Sequence, residues 1–323
     1  MYLPGYHFSY LPGTDLMPIR ASRTLALTLF MGWGMLQASL PAGAGSFEFP
    51  NPADGRTITV HYVMSADYDP HDPPVMVFHG MLRNPAEYRD AWIDLADKYR
   101  LFVVAPEFSR EEFPGSAGYN LGNLFVSETD LTPLPQKDWS YPIPAALFDY
   151  LGRPDGETQA AGYLAFGHSA GSQFLHRMLA LFPDNRLLLA VAANAGWYTF
   201  PSVDVRWPYG FGGTRCTETD LAAFLGRNLV VQLGDADVDP EHSGLRRTDE
   251  AMRQGPNRLE RGENFFAAGK ALAARQHTPF NWKLEIVHGV EHDNKAMAPF
   301  AAQLMADFID KFRQLKPAKT ATE

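Results

Sequence analysis

The sequence predicts an α/β fold: a mostly parallel central sheet with helices on both faces. Three observations predict it. From residue 47 onward, short apolar runs alternate repeatedly with segments of helical period, the pattern of strands returned to one sheet by crossing helices. Several of those runs are apolar throughout, as strands covered on both faces must be. The composition, 46% hydrophobic and 20% charged over 323 residues, is enough to bury a sizeable core and too apolar for a disordered chain.

Residues 1–46 read as an N-terminal extension and signal peptide. Arg20 and Arg23 precede an apolar run over 25–36, and Ala42-Gly43-Ala44 supplies small residues for cleavage. The run is shorter than the about 20 residues that span a bilayer, so a removed leader is expected rather than an anchor. Initiation at Met17 would give that leader a more usual basic start. Residues 47–315 are expected to form one α/β domain, and 316–323 a polar tail.

Within the domain, 56–63 alternates as a half-buried strand does. Pro73 and Pro74 punctuate the chain before a buried strand at 75–78. Tyr88, Trp92, Leu95 and Tyr99 recur near helical spacing, predicting one amphipathic helix over 84–99 that starts at Asn84 and Pro85. A buried strand at 101–105 leads into 106–140, which is rich in Gly, Pro and aromatic residues and long for a strand-to-helix connection. A helix at 145–151, a strand at 163–166 and a helix over 172–182, stopped by Pro183, come next. A strand at 187–192 gives way to a second irregular stretch, 196–217. The remainder reads as strand 228–233, helix 264–276, strand 282–287 and a closing amphipathic helix over 297–312.

Chemistry enters at Gly167-His168-Ser169-Ala170-Gly171, a G-x-S-x-G sequence between an apolar strand and a helix. Such a serine sits on a sharp turn, so its neighbours must be small. A serine hydroxyl is a weak nucleophile until a base removes its proton, and the base needs an orienting carboxylate. Two later strand ends supply both, through Gly234-Asp235-Ala236-Asp237-Val238-Asp239 and His288-Gly289-Val290-Glu291-His292. Both follow buried parallel strands, where ligands bind in open sheets. His292 is preferred to His288, because a loop residue beyond Gly289 can swing over Ser169. Asp237 is preferred as the acid, with Asp239 next and Asp235 read as a turn residue. An oxyanion needs two aimed N–H groups, and those of Met81, after His79-Gly80, and Ala170 are the candidates. Tyr119, Trp197 and Trp207, in the two long irregular stretches, either line a substrate cleft or only pack those loops onto the body.

With His79-Gly80, the G-x-S-x-G segment, Gly234-x-x-Asp237 and Gly289-x-x-His292 in that order, the chain resembles a serine esterase of the α/β-hydrolase superfamily. It is similar to the dienelactone hydrolase, esterase and polyhydroxybutyrate-depolymerase-like branches over roughly residues 47–312. The resemblance implies the α/β-hydrolase fold, a Ser169–His292–Asp237 triad, cleavage of a carboxylic ester through an acyl-enzyme, and neither metal nor organic cofactor. The His-Gly-Gly-Gly oxyanion motif of another esterase group is missing. Serine stands where the dehalogenase and epoxide-hydrolase branches carry Asp and dienelactone hydrolases carry Cys, which disfavours those reactions. Two other classes stay open: a serine peptidase of the same fold and a non-catalytic binding protein built on it. Esters are preferred because the sequence carries no large peptide-screening domain, and the filled triad positions weigh against a binding protein.

A net charge of −9 and a pI near 5.6, without a dense Lys/Arg run, disfavour nucleic acid or an anionic membrane surface as partner. The expected partner is a small-molecule or polymeric ester, met in the periplasm or outside the cell, with no stable membrane insertion once the leader is removed. Cys216, the single cysteine, excludes an intramolecular disulfide and a multi-cysteine zinc site. Its Gly-rich setting reads as an incidental thiol rather than a nucleophile.

Overall fold

Among the described residues, eight strands form one sheet. The computed structural model describes residues 39–315, which fall in one compact unit beginning at Ala38. The basic and apolar parts of the expected leader and the polar tail lie outside the described residues. The strands are β1 (Gly43–Pro50), β2 (Thr57–Met64), β3 (Val75–Phe78), β4 (Phe102–Pro106), β5 (Tyr163–His168), β6 (Leu187–Ala193), β7 (Leu229–Gly234) and β8 (Lys283–Val287). Their order across the sheet is β1-β2-β4-β3-β5-β6-β7-β8. The β1/β2 and β2/β4 pairs are antiparallel, and every other pair is parallel. The mostly parallel sheet expected from the sequence is therefore present.

The continuous apolar runs are explained by cover on both faces. In β3, Met76 and Phe78 join one core while Val75 and Val77 join the other, the two-residue alternation of a strand. Phe102 and Val104 of β4 likewise face the first core, and Val103 and Ala105 the second. The helices are α1 (Pro85–Asp90), α2 (Ile93–Tyr99), the single turn α3 (Gly115–Gly118), α4 (Ile143–Leu151), α5 (Ala170–Leu181), α6 (Glu218–Leu225), the single turn α7 (Asp249–Met252), α8 (Arg258–Gln276) and α9 (Asn294–Leu315). The first core takes Leu147 of α4, Phe174 and Met178 of α5, Phe224 of α6 and Phe265 of α8. Tyr88, Ala96, Ala301 and Met305, from α1, α2 and α9, close the second. Fully burying each large apolar side chain contributes roughly 1.5–3 kcal/mol. Among the described residues no helix is long and apolar enough to cross a membrane.

Some boundaries differ from the sequence reading. The single helix expected over 84–99 is two, because Trp92 leaves helical geometry (φ −107°, ψ 0°) and packs fully buried against Phe166, with ring centroids 5.5 Å apart. Helix α8 begins at Arg258 rather than 264, since the Asn257 side chain accepts the Glu260 N–H at 2.9 Å and caps it there. Helix α6, strand β1 and the single turns α3 and α7 were not foreseen. Helix α6 starts from a capping box in which Thr217 and Asp220 satisfy each other's backbone N–H groups. Strand β1 contains part of the expected cleavage stretch, with Gly43 and Ala44 paired to Met64 and Val63.

Topology positions the site. β3 pairs with β4 on one side and β5 on the other, so chain order reverses there and a crevice opens beyond the carboxyl ends of β3 and β5. His79-Gly80-Met81 leaves one end of that crevice and Ser169 leaves the other.

Candidate active site

Ser169 joins β5 to α5 with φ 58° and ψ −114°, a sparsely populated conformation that costs on the order of 1–3 kcal/mol. The turn is held by the Ser169 N–H donating to the Ala193 carbonyl at 3.0 Å and by the Gln173 N–H donating to the Ser169 carbonyl at 3.1 Å. Both motif glycines are sterically required. A Cβ at Gly171 would lie 2.0 Å from the Phe78 carbonyl oxygen, and one at Gly167 would lie 2.4 Å from that of Gly171.

The loops after β7 and β8 converge on this serine. His292 Nε2 lies 3.1 Å from Ser169 Oγ, and His292 Nδ1 lies 2.8 Å from Asp237 Oδ2. Asp237 is only 4% exposed, and Arg258 Nη1 donates to its second oxygen, Oδ1, at 3.0 Å. The other candidates are elsewhere. The exposed Asp239 accepts the Glu241 N–H at 2.8 Å, as a turn aspartate does. Asp235 accepts the Gly289 N–H and pairs with Nδ1 of His288, whose side chain is 86% exposed.

Burial by itself would raise the Asp237 carboxyl, but the hydrogen bond from His292 and the charges of His292 and Arg258 outweigh it and hold Asp237 below the usual carboxylate range. Burial pushes the His292 imidazole below its usual value. The Asp237 hydrogen bond opposes that shift, and the Arg258 charge adds to it.

One buried asparagine unforeseen in the sequence joins these loops. Asn194, at the end of β6, accepts the Gly234 N–H at 2.8 Å and donates to the Glu291 carbonyl at 3.1 Å. A single side chain thus pins both the strand end before Asp237 and the residue before His292.

The oxyanion candidates stand on either side of Ser169. Ala170 is the first residue of α5, where backbone N–H groups have no partner within the helix and carry the positive end of its dipole. The loop of Met81 is set by the buried His79. Its Nε2 accepts the Phe108 N–H at 3.1 Å, so Nδ1 carries the hydrogen and donates to the Gly80 carbonyl at 3.0 Å. Burial first of all holds this ring near a pKa of about 3, hence neutral. Because the Gly80–Met81 peptide is planar and trans, the Met81 N–H points opposite to that carbonyl, away from the His79 ring. A Cβ on Gly80 would come within 3.7 Å of Ser169 Cβ, so the two segments approach closely.

His168, inside the motif, is held neutral first by burial and packs its ring 4.5 Å from that of His292. Its Nδ1 is hydrogen-bonded with the Tyr88 hydroxyl at 3.1 Å. Arg258, Asn194 and Tyr88 have no local sequence signal, whereas His168 stood in the motif itself.

A cavity of about 420 Å³ opens over Ser169, with Met81, Tyr88, His242, Arg258 and His292 in its walls. An adjoining recess of about 340 Å³ shares Tyr88 and Asp293 with it, and its charged groups are Glu87, Asp90, Asp293 and Lys295. Tyr119, Trp197 and Trp207 line neither space, which corrects the cleft reading of those three residues. The Tyr119 hydroxyl donates to the His79 carbonyl at 2.8 Å and so braces the oxyanion loop from behind. The guanidinium groups of Arg177 and Arg246 lie over the Trp197 rings at 4.2 and 4.5 Å, and Trp207 packs against Phe125 and Phe211. Long polar loops are fastened down by burying their large rings, which takes these rings out of the cavity. Cys216 is buried, and burial with Asp220 and Glu218 nearby pushes its thiol up to about 12, the opposite of an activated nucleophile. Among the described residues no group of three or more His, Cys, Asp or Glu is arranged to hold a metal ion.

Among solved structures, the chain is similar to poly(aspartic acid) hydrolase-1 from Sphingomonas sp. KT-1. The two share 39% identity over 82% of this chain and 99% of that one, with a TM-score of 0.78. It is also similar to a poly(3-hydroxybutyrate) depolymerase from Bordetella parapertussis, at 36% identity over 83% of this chain and 90% of that one, TM-score 0.76. A fluorophosphonate-binding serine hydrolase from Staphylococcus aureus, 14% identical over 84% of this chain and 99% of that one, shares the fold with a TM-score of 0.53. No protein-family model and no curated protein matches the sequence.

Proposed function

Since the chain belongs to the α/β-hydrolase superfamily, with its esterase branches, and is a hydrolase, we propose that it is an exported serine esterase acting through an acyl-enzyme on Ser169. The observation that carries this reading is the unbroken hydrogen-bonded run from Ser169 Oγ through both nitrogens of His292 to Asp237. His292 takes the Ser169 proton as the oxygen attacks an ester carbonyl. The N–H groups of Met81 and Ala170 receive the oxyanion, each such donor contributing about 3 kcal/mol to the transition state. His292 then protonates the departing alcohol, and a water molecule repeats the cycle to free the acid and restore Ser169.

The charge around the cavity bears on the substrate. Three carboxylates against one ammonium in the adjoining recess repel a polyanion, which supports a neutral ester over an acidic polymer. Export rests on the basic and apolar leader pattern. Cleavage after Ala44 would leave residues 45–50 of β1 paired with β2. A second reading, amide cleavage by the same triad, is favoured by the 39% identical relative named for hydrolysis of poly(aspartic acid), a polyamide.

A fluorophosphonate probe tests the central claim. It should label the folded protein once, on Ser169, and p-nitrophenyl esters of rising acyl length should be turned over faster than matching peptide anilides. A folded protein that takes no label sinks the serine mechanism, and anilides cleaved as fast as esters sink the ester preference.

A pH dependence follows from His292, which must be neutral to act as base. Because its pKa is depressed, the neutral form already dominates at pH 6.5. The kcat/KM should therefore rise with pH through a midpoint below 6.5 and be level above it. A midpoint at pH 7 or higher, read from a kcat/KM profile, contradicts the assignment.

A further inference from the structure

The ring of His242 has a fixed orientation that the triad does not use. It lies in the wall of the cavity over Ser169, with its centroid 5.6 Å from that of His292 and the two planes near perpendicular. Two hydrogen bonds anchor its Nδ1. The Gly244 N–H donates to it at 3.0 Å, and Arg258 Nη2, which can only donate, lies at 3.0 Å. An Nδ1 that accepts two hydrogen bonds carries no hydrogen, so the hydrogen of the neutral ring is on Nε2, on the far side of the ring from both anchors. The guanidinium holding Nδ1 is itself 2% exposed and immobilised by Asp237. The result is an N–H donor of defined direction in the wall of the catalytic cavity.

Resting on the esterase reading above, we propose that His242 is a specificity-determining residue whose Nε2–H binds a second carbonyl or carboxylate oxygen of the substrate, one bond system away from the scissile ester. A substrate with one carbonyl uses only Ser169 and the oxyanion N–H groups. A substrate with a further acceptor gains the His242 hydrogen bond as well. Sites that hydrogen-bond a substrate group discriminate against analogues lacking it, because the donor is then left unpaired. The interaction is with bound substrate, so it favours the two-carbonyl ester through KM more than through kcat.

The test compares ethyl 3-acetoxybutanoate, which has two ester carbonyls, with a linear monoester of similar length, using the parent protein, His242→Leu and His242→Gln. The readout is the ratio of the two kcat/KM values in each preparation, which does not depend on the fraction of protein that is folded. In His242→Leu the ratio should fall about tenfold, mostly through KM for the two-carbonyl ester. His242→Gln, whose amide can accept from Arg258 and still donate to substrate, should recover most of it. A ratio within twofold of the parent's in His242→Leu, whatever the absolute rates, overturns the proposal, as does a loss that Gln does not repair. Ser169→Ala, run beside them, should be inactive on both esters. Activity there would count against the esterase reading instead.

Discussion

Ser169→Ala is expected to lower kcat on a p-nitrophenyl ester by roughly a millionfold while the melting temperature stays within a few degrees of the parent's. The size follows from what is removed. Without Oγ, His292 has no proton to accept, and the oxyanion N–H groups are left with only the slow attack of water to stabilise. Stability is spared because, among the described residues, Ser169 Oγ bonds only His292 Nε2 at the cavity wall, while the turn is held by its backbone. Stopped assays with purified variant, alongside a thermal melt, read both numbers. A residual rate above about one hundredth of the parent's would remove Ser169 from the mechanism.

The next largest effect belongs to Asp237→Asn, for which kcat should fall about ten-thousandfold. The amide no longer stabilises the hydrogen on His292 Nδ1 or the imidazolium that forms during attack. The same substitution also leaves Arg258, 2% exposed, without its counter-charge, and breaking such a pair from one side costs about 3–5 kcal/mol. A clear drop in melting temperature is therefore expected together with the lost rate, and this pairing of effects distinguishes Asp237 from its neighbours. Asp239→Asn and Asp235→Asn remove only turn and surface hydrogen bonds and should keep kcat within a few-fold. If Asp239→Asn proved as damaging as Asp237→Asn, the acid would have been misassigned.

What could be read from the sequence was what local pattern encodes. The elbow was legible because a glycine-flanked serine between an apolar strand and a helix leaves few backbone solutions. The buried strands were legible because their residues must satisfy two cores at once, as the alternation of Val75, Met76, Val77 and Phe78 between the two cores illustrates. His292 and Asp237 followed from strand ends and loop reach. Arg258 and Asn194 escaped because their partners are distant in the chain and no period or spacing marks them. The start of α8 escaped too, since its first turn is set by a polar cap rather than an apolar stripe. The aromatic residues of the long loops pointed both ways in sequence, and burial decided for packing.

The position of Arg258 in the first turn of α8 has a consequence for how this site can change over generations. One cation grips the triad acid with Nη1 and the ring of His242 with Nη2. A shift in the register or tilt of that helix end therefore moves both at once. Substitutions at Asp237 and His242 will not act independently, because each frees a hand of the same guanidinium. Drift in this helix is therefore expected to disturb the settings of Asp237 and His242 together.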